Sequence, residues 1–145
     1  MILHRIERND VEALASIERV CFLDGWSEAQ WLSTLNRPDF HGWKIEDSGK
    51  TIGFIAITAL FEEAELLKIA VLPDFRKRGY GKRLLSHAFE QLNSLGVERM
   101  FLEVRVTNVA ATSLYLRSGF TQTRLRQKYY ADGEDAVEMV KTLTK

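Results

Sequence analysis

The sequence predicts a mixed α/β (α+β) fold built on a central sheet of about seven strands, and three observations predict it. Segments with the two-residue period of a strand alternate with segments of helical spacing along the chain. A loop rich in glycine and cationic side chains joins one strand to the clearest helix. The chain has 145 residues, 46% of them hydrophobic and without a compositional break, which matches one compact domain over residues 1–145.

Residues 2–6 read as a short strand, and Asn9 or Asp10 is placed to cap the helix behind it, in which Val11, Leu14, Ile17 and Cys21 share a face. Ser27 opens a second helix, with Gln30 at capping-box spacing and Trp31, Leu32 and Leu35 as its apolar side; Pro38 ends it. Strand-like segments at 41–45 and 51–60 flank Asp47-Ser48-Gly49-Lys50, a polar turn suited to a hairpin. A third such segment, 65–72, stops at Pro73. Leu84, Leu85, Ala88, Phe89, Leu92 and Leu95 then recur at helical spacing up to Gly96, which suits a left-handed C-terminal cap. Next, Met100, Leu102, Val104 and Val106 alternate with Phe101, Glu103 and Arg105, so Glu103 faces away from the most apolar side of its strand. A short helix over 109–117 ends at Gly119, and strands over 121–129 and 136–143 flank the turn Asp132-Gly133.

Composition excludes several classes. Twenty Lys and Arg balance twenty Asp and Glu, so no global field favours nucleic acid or an anionic membrane, and no direct nucleic-acid binding is expected. The longest apolar run, residues 52–61, is about half the length of a membrane-spanning helix and reads as a buried strand. The amino terminus turns charged almost at once, without the basic-then-apolar profile of a secretory signal, and a cytoplasmic location is expected. The single cysteine, Cys21, rules out an internal disulfide and reads as a small buried hydrophobe. His4, His41 and His87 are scattered without metal-ligand spacing, so no metal site is expected.

The chemistry concentrates in Arg76-Lys77-Arg78-Gly79-Tyr80-Gly81-Lys82-Arg83, five cationic residues and two glycines across eight positions between a strand and a helix. Glycines let the backbone turn sharply and approach a ligand, and the unpaired N–H groups of the following helix point at bound phosphate oxygens. The helix dipole and the cations add to that attraction. A P-loop is excluded because Arg83 follows Lys82 and the upstream glycine is missing; a dinucleotide fingerprint is excluded because Leu84 stands where its third glycine belongs.

The spacing R-x-x-G-x-G over Arg76 to Gly81 resembles the coenzyme A pyrophosphate loop of GNAT acetyltransferases. Upstream, Leu67-Lys68-Ile69-Ala70-Val71-Leu72-Pro73 is similar to that superfamily's fourth strand. Downstream, Leu102 to Asn108 with Ala110, Ala111, Leu114, Tyr115, Gly119 and Phe120 is similar to its fifth strand and fourth helix. The resemblance implies a mixed sheet splayed between strands 4 and 5, helices on both faces, and acetyl-CoA as co-substrate without a metal. It assigns coenzyme contacts to Ile69, Ala70, Val71, Arg76, Lys77, Arg78, Gly79, Tyr80, Gly81, Lys82 and Asn108. Within the superfamily, Trp26-Ser27-Glu28, residues 65–71 and 102–105, and the stretch 128–136 followed by Met139 resemble the RimI-type group, bacterial enzymes that acetylate the N-terminal alanine of a ribosomal protein. Residues 21–25 lack the proline of that group, and Leu72 replaces a commoner polar residue.

That resemblance makes Glu103 the general base, acting through a water, and Tyr115 the general acid beside the coenzyme sulfur, with a backbone N–H near Val71 supporting the oxyanion. Glu63 and Glu65 are rival bases. Trp26, Tyr129 and Tyr130 are candidates for a peptide groove, with core packing the alternative. An α-amino group is roughly a quarter neutral at pH 7.5 and a lysine about one part in a thousand, a gap of about 3 kcal/mol that matches a single glutamate to an amino terminus. The resemblance implies a protein N-terminus, that of a ribosomal protein, as the partner, the chain being a monomer or weak dimer. A small amine such as a polyamine or drug is the alternative acceptor, to be favoured by a closed and strongly acidic cleft, and a non-catalytic coenzyme-binding module is the third reading.

Overall fold

The computed structural model describes residues 2–143. Seven strands, β1 (Ile2–Arg5), β2 (Phe40–Asp47), β3 (Lys50–Leu60), β4 (Glu63–Val71), β5 (Arg99–Arg105), β6 (Thr121–Arg126) and β7 (Ala136–Thr142), make one sheet in the order β1-β2-β3-β4-β5-β7-β6. Four helices accompany it: α1 (Val11–Cys21), α2 (Glu28–Leu35), α3 (Tyr80–Ser94) and α4 (Val109–Arg117).

Local chemistry explains most boundaries. The Ser27 hydroxyl accepts from the Gln30 N–H while the Gln30 side chain accepts from the Ser27 N–H, the reciprocal cap that the spacing predicts. At the end of α3, Gly96 at φ 94° lets its own N–H reach the Asn93 carbonyl and the Val97 N–H reach that of Leu92, closing the last turn. The β2–β3 connection is a two-residue hairpin through Ser48 and Gly49.

Three expectations need correction. Asp10 does not cap α1 with its side chain; its carboxylate accepts from the Glu7 N–H and from Lys44, closing a short 3-10 turn ahead of the helix. The apolar run 52–61 is buried only to residue 58: Leu60 and Phe61 are exposed, because the turn into β4 claims Phe61, at φ 57°. β6 ends at Arg126, so Tyr129 and Tyr130 lie in the following loop.

The sheet separates two cores. One, under α3 and α4, gathers Leu84, Leu85, Leu92, Met100, Leu102 and Tyr115. The other, under α1 and α2, gathers Leu14, Ile17, Trp31, Phe54 and Ala70. All strand pairs are antiparallel except β4 with β5, which run parallel and pair only at Glu63–Arg99, Ala64–Met100 and Glu65–Phe101. Beyond Glu65 the two strands part, and the sheet is splayed at its middle.

Candidate active site

Backbone alternation decides what β4 offers to the gap. The Leu72 N–H donates to the Ile52 carbonyl at 2.8 Å, which fixes the phase of the β3–β4 ladder: Lys68 and Ala70 bond to Ala56 and Phe54, while Ile69 and Val71 turn their amides away from β3. With no β5 partner at that level, these groups face the gap. Ala70, the third strand residue expected to contact a coenzyme, instead commits its backbone to β3 and its methyl to the core. A register shift leaves Leu67 unpaired, a β-bulge that returns Lys68 to the face of Glu65.

The basic loop follows β4. Lys77 at φ 62° and Gly79 at φ 85° wind it into the start of α3, whose N-cap is that glycine and so carries no capping side chain. The first-turn N–H groups at Tyr80, Gly81 and Lys82 are left for an external acceptor, with open space in front of Gly79. Lys77, Arg78 and Lys82 are exposed around them. Arg76 turns back: its Nε donates to the Val71 carbonyl at 2.9 Å and its Nη2 lies 3.6 Å from Cys21 Sγ, tying the loop to β4. The Tyr80 hydroxyl donates to Asp47 at 3.2 Å, so only its backbone serves the loop. Asn108 caps α4, its Oδ1 accepting from the Ala111 N–H at 3.2 Å, and keeps its amide donors free of that bond.

Glu103 and Tyr115 flank β5 from opposite faces. Met100, Leu102 and Val104 enter the core under α3 and α4, so Glu103 projects from the other face. Its Oε1 accepts from the Tyr129 hydroxyl at 3.0 Å and its Oε2 from Arg126 at 3.2 Å. The hydrogen bond to Glu103, then burial, raises the Tyr129 pKa and keeps that hydroxyl a donor. Tyr115, only 8% exposed, packs edge-on against Phe120; burial, with a smaller contribution from the Tyr130 charge, pushes its pKa far above the ordinary value. Burial raises the Tyr130 pKa as well, with Arg105 opposing and Glu103 adding to the shift.

On the Glu103 face a cleft of about 480 Å³ is lined by Asp39, Glu62, Glu63, Glu65, Glu103 and Glu138, with Phe61 and Phe101 supplying aromatic surface. Glu63 is paired to Arg99 at 3.2 Å. Loop 127–135 stands beside it, held by Thr107 to Glu134 and Arg105 to Asp132, both at 2.8 Å, and by the Arg105 guanidinium 4.1 Å from the Tyr130 ring centroid. Among the described residues, no group of three or more His, Cys, Asp or Glu side chains could hold a metal ion.

Trp26 is brought to β4 through a buried ion pair that sequence reasoning missed. Glu18, 0% exposed, accepts on one oxygen from Lys68 at 2.7 Å and from the Trp26 N–H at 3.1 Å. The Lys68 ammonium lies 4.6 and 4.3 Å from the Phe22 and Trp26 ring centroids. Gly25 lets the loop cross that close: a Cβ there would sit 2.7 Å from the Glu18 carbonyl oxygen. The partners are 50 residues apart, and the one local signal was a glutamate on the apolar side of α1.

Comparison with known proteins accords with this geometry. The model of the acetyltransferase (GNAT) family matches residues 11–120. The [ribosomal protein bS18]-alanine N-acetyltransferase of Escherichia coli strain K12 is 35% identical over 137 residues, 92% of each chain, and that of Haemophilus influenzae is 35% identical over 129 residues, 89% of this chain and 87% of the relative. The crystal structure of the ribosomal-protein-S18-alanine N-acetyltransferase from Escherichia coli superposes with a TM-score of 0.91 at 33% identity, covering 99% of this chain and 94% of that one. Unpaired strand amides, an uncapped helix start and a splayed sheet are what an extended phosphorylated thioester needs, and the chain belongs to the GNAT family as an acetyl-CoA-dependent N-acetyltransferase.

Proposed function

We propose that the chain acetylates the N-terminal alanine of a ribosomal protein, the bS18 protein named for its relatives, in the cytoplasm. The observation that carries the reading is the position of Glu103, ionisable and hydrogen-bonded, at the inner wall of a cleft open to solvent beside the splayed strands. Acetyl-CoA supplies the acetyl thioester and leaves as coenzyme A. Glu103 would take the proton of the incoming ammonium through a water, the amine nitrogen would form the amide bond as the carbon–sulfur bond breaks, and Tyr115, on the other side of β5, would protonate the departing thiolate. The Val71 N–H supports the developing oxyanion, and the N–H groups opening α3, with Lys77, Arg78 and Lys82, hold the pyrophosphate. Asn108 assists through its amide donors, while Trp26, Tyr129 and Tyr130 guide the peptide.

The six carboxylates of the cleft favour a second reading, a small polycationic amine. Thiol release and product mass, measured with N-terminal alanine peptides, lysine peptides and polyamines in parallel, decide between them. Selective α-acetylation is expected; transfer to polyamines alone would overturn the peptide reading.

A pH profile tests the acid. A pKa raised by burial keeps Tyr115 protonated below its folded value, so its ionisation brings no alkaline fall in kcat below about pH 10. A Tyr115→Phe variant is expected to lose about 10²-fold in kcat. Unchanged turnover in that variant removes Tyr115 from the mechanism.

A further inference from the structure

Glu103 lies directly opposite Glu138 in the β5–β7 ladder, with both side chains on the cleft face. Like charges in that relation repel and splay their side chains apart. β6 supplies two arginines on the same face, opposite Ala136 and Glu138 in its ladder with β7, and they divide the carboxylates between them. Arg124 stands 3.5 Å from Glu138, which also accepts from the Thr123 hydroxyl at 2.9 Å. Arg126 donates to Glu103 Oε2 at 3.2 Å. Its guanidinium also lies 4.9 Å from the centroid of Tyr129, whose hydroxyl holds the other Glu103 oxygen. One cation thus touches both the carboxylate and the ring that bonds it.

We propose that Arg126 is a positioning residue, fixing the Glu103 carboxylate and Tyr129 in one arrangement so that the free lone pairs of Glu103 point into the cleft. The inference rests on reading Glu103 as the base. A carboxylate has about four lone-pair directions, and two fixed donors leave the remainder aimed rather than swinging. The Glu103 side chain is 18% exposed and that of Arg126 38%, so the pair's value to folding is small and its value to orientation is the larger.

The test is a cycle of Arg126→Gln, Arg126→Lys, Glu103→Gln and the double variant, read as kcat, as KM for acetyl-CoA, and as melting temperature. Arg126→Gln is expected to lower kcat about tenfold with an unchanged coenzyme KM and a Tm within about 2 °C of the parent. Arg126→Lys, which keeps a charged donor, recovers most of that loss. In the Glu103→Gln background Arg126→Gln is expected to have no further effect, because a group acting through another falls silent when that one is gone. A full tenfold loss persisting in that background, or no loss in the single variant, overturns the role of Arg126 and leaves Glu103 as base. Full turnover by Glu103→Gln alone overturns the base reading and this inference with it.

Discussion

Turnover of a Glu103→Gln variant is expected to fall by about 10²- to 10⁴-fold, the range that a general base contributes. The amide keeps the size of the side chain and its place at the cleft wall but cannot take a proton. The groups assigned to the coenzyme lie on β4, the 76–79 loop, the start of α3 and, with Asn108, the start of α4, and the hydrogen-bond partners of the Glu103 carboxylate are instead Tyr129 and Arg126. Coenzyme binding should therefore stay within about twofold of the parent, which separates a chemical defect from a folding one. Steady-state thiol release at saturating acceptor, paired with calorimetric titration of coenzyme A, reads both quantities. Were Glu65→Gln to lose the activity and Glu103→Gln to keep it, the base would belong to the neighbouring strand.

The largest effect on stability is expected at Lys68→Met. Among the described residues, that change removes the one cation paired with Glu18, a carboxylate with 0% exposure whose second oxygen has no hydrogen-bond partner there. An uncompensated buried charge costs about 3–5 kcal/mol. For a chain of this length the loss corresponds to a fall in melting temperature of roughly 10 °C. The double change Glu18→Leu with Lys68→Met removes both charges and is expected to recover most of the difference, because apolar packing replaces the pair without leaving a lone ion. Urea denaturation of the three variants gives the comparison. A loss below about 1 kcal/mol for Lys68→Met would mean that water reaches the pair as it reaches a surface ion pair.

These two sites mark what could be read in advance. Element order, the Ser27 cap, the Gly96 cap and the hairpin at Ser48-Gly49 depend on residues within a few positions of one another, and local chemistry makes them legible. The glycine and cation pattern of the basic loop is equally local. What the sequence left dark were side-chain destinations set by the fold. Arg76 reads as a phosphate ligand by motif, yet its guanidinium goes to a carbonyl on β4 and to a thiol 55 residues away. Asn108 reads as a coenzyme ligand, yet its oxygen caps a helix. The face that Glu103 takes is legible by strand alternation, whereas its partners Arg126 and Tyr129 depend on where β6 ends and how the next loop folds back. Phe61 closes an apolar run and yet lies outside, because the turn needed a left-handed residue and took that position.

The three-residue seam between β4 and β5 also leaves amide hydrogens of a central strand without a sheet partner. In most sheets the outermost strands fray and the central ones exchange their amide hydrogens last. Here the amides of Ile69 and Val71 lie on a central strand yet point at a space no neighbouring strand fills. Those two amides are expected to exchange early for a central strand, and an extended ligand lying there would stand in for an eighth strand, bridging the two half-sheets along the gap.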